Sequence, residues 1–247
     1  MPAIPIALPP YLNVLIGHYG SGKTTLALNL ARDLKDAAEK VTLVDLDIVN
    51  PYFRSSDSEA LLISWGVTLL GPVYGRNAPS LDTPSLTPGI DEAILAAGEG
   101  AGQGAGQGHA VVVDVGGDPD GARALGRYSA NIRSRPHRLL YVANFRRPEA
   151  AAVADNLQLV REIEATSGLQ VTAVVGNTHL KQLTTAQTVL EAVSASRELA
   201  DALGVPLLAV TAPRAEAAAI AAIAQDSDTA SSPAIYPLDA LVTTPWE

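Results

Sequence analysis

Cysteine is absent from the 247 residues, which removes disulfides, thiolate zinc sites and cysteine-ligated iron–sulfur clusters. Basic residues are scarce as well: 17 Lys and Arg stand against 26 Asp and Glu, a formal charge of -9. A surface of that sign attracts neither nucleic acid nor anionic lipid in bulk, so neither is expected as a partner. No run is apolar and long enough to span a bilayer. Residues 1–10 carry four prolines and no Lys or Arg, unlike the charged region and apolar run of a secretion signal, and a cytoplasmic protein is expected. The four histidines, His18, His109, His137 and His179, are scattered along the chain without the clustering a metal site needs.

What is present is enough for one core. With 47% hydrophobic and 17% charged residues, the chain is expected to form a single domain over residues 1–247. Apolar β-rich runs alternate with helical patterns: Leu12 to Ile16, Val41 to Asp45, Val67 to Leu70, Ala110 to Asp114, Leu139 to Ala143, Val171 to Val175 and Leu207 to Thr211. Strands so uniformly apolar are buried on both faces, which predicts a three-layer α/β sandwich, a mostly parallel seven-stranded sheet with helices on both sides. Leu26, Leu30 and Leu34 mark one face of the first helix; Val153, Leu157 and Val160, and then Val189, Val193, Ser196 and Leu203, mark two later ones. The glycine-rich segment Gly98 to Gly108 reads as a flexible loop, and residues 226–247, rich in Ser, Thr and Pro and without Lys or Arg, read as a loosely packed C-terminal extension.

The chemistry concentrates in Gly17-His18-Tyr19-Gly20-Ser21-Gly22-Lys23-Thr24. A strand before it, a helix after it, and Gly17, Gly22, Lys23 and Thr24 at their spacing make it a phosphate-binding P-loop. Backbone N–H groups from Gly17 to Thr24 converge on phosphates at a helix N-terminus. Lys23 neutralises the β- and γ-phosphates, Thr24 offers its hydroxyl to Mg²⁺, and Thr25 reaches the α-phosphate. Asp114 ends the run Val111-Val112-Val113 and is expected as the Walker B acid for the metal, with Gly117 close behind as a γ-phosphate sensor. The expected ligands are therefore ATP and Mg²⁺, and the expected activity is ATP hydrolysis.

The strand ending Asp45-Leu46-Asp47 resembles the MinD/ParA/ArsA group of P-loop ATPases, also grouped with CobQ and CobB. The resemblance implies that Asp47 orients the attacking water, with Asp45 nearer the metal, and that Ile48 to Arg54 is a switch loop. It extends to Asp114-Val115-Gly116-Gly117-Asp118, Asn144-Phe145-Arg146-Arg147-Pro148 and Asn177-Thr178-His179-Leu180, and is strongest with uncharacterised MinD-like ATP-binding proteins. It implies that Asn177 contacts adenine while Thr211-Ala212-Pro213 closes the other side. The lysine that relatives place early in the P-loop is replaced by His18, so either no catalytic sandwich dimer forms or Arg54, Arg146 or Arg147 supplies the cation. Asn177-Thr178-His179-Leu180 lacks the Lys and Asp of a guanine-reading motif, which favours ATP over GTP. The tail lacks the basic amphipathic helix of a MinD-like membrane anchor.

The leading expectation is a conformational switch read by a protein partner, with a homodimer left open. The alternative is an ATP-dependent ligase or phosphotransferase of the CobQ or dethiobiotin-synthetase type, its acid held by Arg76, Arg123 and Arg127. A non-hydrolysing ATP sensor is the third reading.

Overall fold

The computed structural model describes residues 11–47, 58–71, 89–101, 108–179, 184–226 and 233–242. Eight strands form one sheet: β1 (Leu12–Ile16), β2 (Lys40–Leu46), β3 (Val67–Leu70), β4 (His109–Val115), β5 (His137–Ala143), β6 (Ala173–Gly176), β7 (Leu207–Pro213) and β8 (Ile235–Leu238). Their order is β3-β2-β4-β1-β5-β6-β7-β8, and every ladder is parallel. Parallel pairing needs crossovers, supplied by α1 (Lys23–Leu34), α2 (Glu59–Ser64), α3 (Ile90–Ala96), α4 (Pro119–Arg133), α5 (Val153–Ser167), α6 (Ala186–Leu203) and α7 (Ala217–Asp226).

Side-chain alternation divides the apolar residues between two faces. Val14, Ile16, Val113, Val115 and Tyr141 pack with Leu125 and Ile132 of α4 and Val160 of α5. Leu15, Val112, Leu140 and Val142 pack on the opposite face with Leu26 and Leu30 of α1. Both β1 and β4 are buried along their whole length, which accounts for their uninterrupted apolar sequence. Since β1 lies between β4 and β5, the chain departs in opposite directions from its two sides, and a crevice opens at its carboxyl end.

The eighth strand corrects the sevenfold count, and it corrects the reading of the tail as loosely packed. Tyr236 is fully buried, and its hydroxyl donates to Asp33 Oδ2 of α1 at 2.8 Å. Composition misled because Ser, Thr and Pro flank a four-residue run with strong strand propensity. Pro237 confines that run to a sheet edge, which is where it lies. Tyr236→Ala is accordingly expected to lower the urea unfolding free energy by about 3 kcal/mol; an unchanged unfolding curve would contradict a packed tail. The glycine-rich segment is anchored at both ends: Gly98 N–H donates to His109 O at 2.8 Å, and His109 N–H donates to Glu99 O at 3.0 Å. Its centre, residues 102–107, lies outside the described residues.

Candidate nucleotide site

The P-loop spans the carboxyl end of β1 and the start of α1. Gly22 caps α1 with φ 85°, in the left-handed region that disfavours a side chain. A Cβ there would also lie 2.3 Å from Asn177 Nδ2. Lys23 Nζ donates to Gly17 O and His18 O, both at 3.0 Å, so the lysine closes the loop upon itself. The residue is only 7% exposed. Burial pushes its pKa down, while the nearby charges of Asp114, Asp47 and Asp118 push it up.

Two carboxylates share one register. Asp45 and Asp114 are Cα partners across the β2–β4 ladder, so their side chains project from the same face of the sheet, the one that α1 covers. Both are buried, and Asp45 Oδ1 accepts the Asp47 N–H at 2.9 Å, which fixes where the Asp47 backbone leaves the strand. Thr24, Asp45 and Asp114 carry only oxygen donors, the chemistry that would suit Mg²⁺. Among the described residues, no three His, Cys, Asp or Glu gather as a metal cage.

The turn after β4 closes against the P-loop and Asp47. A Cβ on Gly117 would stand 2.6 Å from Tyr19 N and 2.9 Å from Lys23 Nζ, and one on Gly116 would stand 3.3 Å from Asp47 Oδ1. The same turn runs directly into α4. Asp118 caps that helix by accepting the Gly121 N–H at 2.7 Å, Pro119 occupies its first position, and a Cβ on Gly121 would press on Gly116 O at 2.4 Å. Movement at Gly117 is thereby linked to the start of a helix.

A cleft of about 530 Å³ opens above these groups. Tyr19, Gly20, Gly22, Lys23, Thr24, Thr25, Asp47, Gly117, Asn177 and Pro213 line it, all of them sequence candidates. Gly17, His18, Ser21, Asp45 and Asp114 support it from outside the lining: Gly17 and His18 through their carbonyls, Ser21 through its carbonyl to Asn177, Asp45 through Asp47. Asn177, in the lining, also bonds within the protein. Its Nδ2 donates to Ser21 O at 2.6 Å, and its Oδ1 accepts from the Thr211 hydroxyl. The amide therefore ties the P-loop to β7.

The model for the CobQ/CobB/MinD/ParA nucleotide binding domain, CbiA, matches residues 14–210. The chain belongs to this family. Comparison with curated proteins gave no match. Similar solved structures include the signal recognition particle receptor FtsY from Elizabethkingia anophelis in complex with GDP, at 20% identity over 81% of this chain and 56% of that one, TM-score 0.45. A second structure of that receptor matches at 20% identity over 82% and 58%, TM-score 0.45. The cell division protein ftsY from Thermotoga maritima matches at 19% identity over 81% and 62%, TM-score 0.43. The chain spans less than two thirds of the length of each.

Of the three arginines expected to compensate for His18, two lie among the described residues. Arg147 Nε donates to Gly20 O at 2.8 Å, and the residue lines the cleft. Arg146 is paired with Glu191 at 2.6 Å and does not line it. Arg54 and the switch loop from Ile48 lie outside the described residues, as do Leu180 and Arg76. Arg123 and Arg127 are exposed on α4 and absent from the lining; Arg123 pairs with Asp120. Sequence reasoning missed Glu216, Leu238, Asp239, Ala240 and Val242, which line the far end of the cleft. The strand propensity of Ile235 and Tyr236 was the available signal for the last four. No described helix is long and apolar enough to cross a membrane.

Proposed function

We propose that the protein binds and hydrolyses Mg·ATP and acts as a conformational switch read by a protein partner. The observation that supports this most directly is the convergence of Lys23, Asp47 and Gly117 at one end of the cleft, within contact of one another through the P-loop and the turn after β4. P-loop N–H groups and Lys23 would hold the β- and γ-phosphates. Mg²⁺, when bound through Thr24 and the Asp45 and Asp114 side, supplies charge neutralisation between those phosphates. Asp47, held by the Asp45 carboxylate, would orient the water. The water oxygen bonds to the γ-phosphorus as the bond to the β–γ bridging oxygen breaks, the electron pair leaves with ADP, and the water proton goes to the released phosphate.

Hydrolysis removes the group that Gly117 faces. Its turn then relaxes, and the Gly116–Gly121 packing and the Asp118 cap carry that change into α4. A partner that reads α4 would discriminate the two states. Arg147, set on Gly20, is the described cation best placed to stand in for the missing lysine. ATP is preferred over GTP because Asn177-Thr178-His179-Leu180 lacks the guanine-reading Lys and Asp.

Mg²⁺-dependent phosphate release from ATP tests the reading. Asp47→Asn is expected to slow turnover by about 10²-fold or more with ATP affinity held within about threefold. Equal turnover in both proteins would remove Asp47 from the mechanism, and tighter binding of GTP than ATP would overturn the choice of nucleotide.

A further inference from the structure

Beyond the phosphate end, the cleft is bounded by three segments distant in sequence. They are the first turn of α1 at Thr25, the end of β7 at Thr211 to Pro213, and residues 238–242 after β8. Leu238, Asp239, Ala240 and Val242 line it, and the three apolar side chains among them offer a wall surface of the kind that suits the flat face of a purine.

One residue holds that wall in place. Asp239 N–H donates to Asn29 Oδ1 at 3.0 Å, and Asn29 Nδ2 donates to Asp239 O at 2.9 Å. The Asn29 amide thus pairs with the tail as a neighbouring strand would. Asn29 is fully buried, and its Nδ2 also donates to Thr25 O at 2.8 Å, in the turn that follows the P-loop. The Asp239 carboxylate makes the remaining links. Its Oδ2 accepts from Arg32 of α1 at 2.5 Å and from Arg214 Nε at 2.7 Å. The Arg214 N–H donates to Leu238 O at 2.8 Å, joining the residue after Pro213 to the same wall. Charge-assisted contacts of this kind are stronger than neutral ones. Partial burial opposes the Asp239 charge, but the hydrogen bonds from Arg214 and Arg32 prevail and hold its carboxyl below the usual range.

We infer that Asp239 is a positioning residue for the nucleoside end of the cleft, tying residues 238–242 to the P-loop helix so that they form the wall against which the base is held. This rests on the reading of the cleft as a nucleoside triphosphate site. It assigns base binding to a segment beyond the 14–210 family match, and it explains why the tail is pinned to α1 although it is remote from the phosphate groups.

The test compares ligands that differ only in having a nucleoside. Calorimetric titration of the full chain with Mg·ATP, Mg·GTP and Mg·tripolyphosphate would be done for wild type, Asp239→Ala, Asp239→Asn and Arg214→Ala, with thermal melts as a check on folding. Asp239→Ala should weaken the preferred nucleoside triphosphate by about tenfold and leave tripolyphosphate within about twofold. Asp239→Asn and the surface change Arg214→Ala should move the same ratio in the same direction by about threefold. Loss of both ligands in equal measure, or of neither, overturns the assignment. A wild type that binds no nucleoside triphosphate more tightly than tripolyphosphate also overturns it while leaving the phosphate site standing. Lys23→Ala separates the two levels: unchanged tripolyphosphate binding in that variant would overturn the nucleotide reading itself.

Discussion

Lys23→Ala is expected to abolish useful ATP binding, with affinity lowered by about 10²-fold or more in calorimetric titration. Lys23 is 7% exposed, and its ammonium sits where the P-loop carbonyls of Gly17 and His18 already gather it. Truncating one partner of a desolvated charge pair costs about 2–5 kcal/mol, which is roughly 30-fold to several thousandfold in affinity. The fold is expected to survive. Burial is the first cause acting on Lys23 and lowers its pKa despite Asp114, Asp47 and Asp118, so the folded protein holds that proton less tightly than the unfolded chain. Between the lowered value and the ordinary 10.5, the unfolded chain therefore binds more protons at this residue, and its contribution makes stability rise with pH. That contribution should vanish in Lys23→Ala. ATP binding at wild-type strength in a folded Lys23→Ala protein would place the phosphates elsewhere.

Gly117→Ala carries the second large effect, and it acts through one methyl group. The new Cβ would stand 2.6 Å from Tyr19 N and 2.7 Å from Tyr19 Cα. Both are backbone atoms of the P-loop, so no side chain can swing away to admit it. Either the turn after β4 retreats or the P-loop shifts. Displacement of about 1 Å in a positioning element costs on the order of 10²-fold in rate, so single-turnover phosphate release should fall by at least that factor. ATP binding should weaken less, by about tenfold, because most P-loop N–H groups keep their positions. Wild-type turnover in Gly117→Ala would show that the turn does not need to approach the γ-phosphate. It would also remove the proposed route from hydrolysis to α4.

The phosphate end was legible because its determinants are local. Gly17, Gly22, Lys23 and Thr24 lie within eight residues, and a strand before and helix after are enough to give them their geometry. Asp114 was equally accessible, since a run of valines ending in an acid marks the carboxyl end of a buried strand. Its pairing with Asp45 needed the order of the sheet. Sequence shows two strand-end acids, whereas only the β2–β4 ladder makes them neighbours.

The far end was opaque for a related reason. Asn177 was named as a base contact on the family resemblance, and only the fold shows that its amide also joins Ser21 O to the Thr211 hydroxyl. Arg146 and Arg147 are adjacent and chemically alike, and nothing local separates the one that reaches Gly20 from the one that pairs with Glu191. By itself the sequence determined the parallel α/β architecture and the P-loop, because periodicity and short-range spacing encode them. Tertiary structure alone decided the eighth strand and the docking of residues 238–242 against α1. Asp239 meets Arg32 across 207 positions of sequence, and a contact of that range leaves no periodicity in the chain on either side.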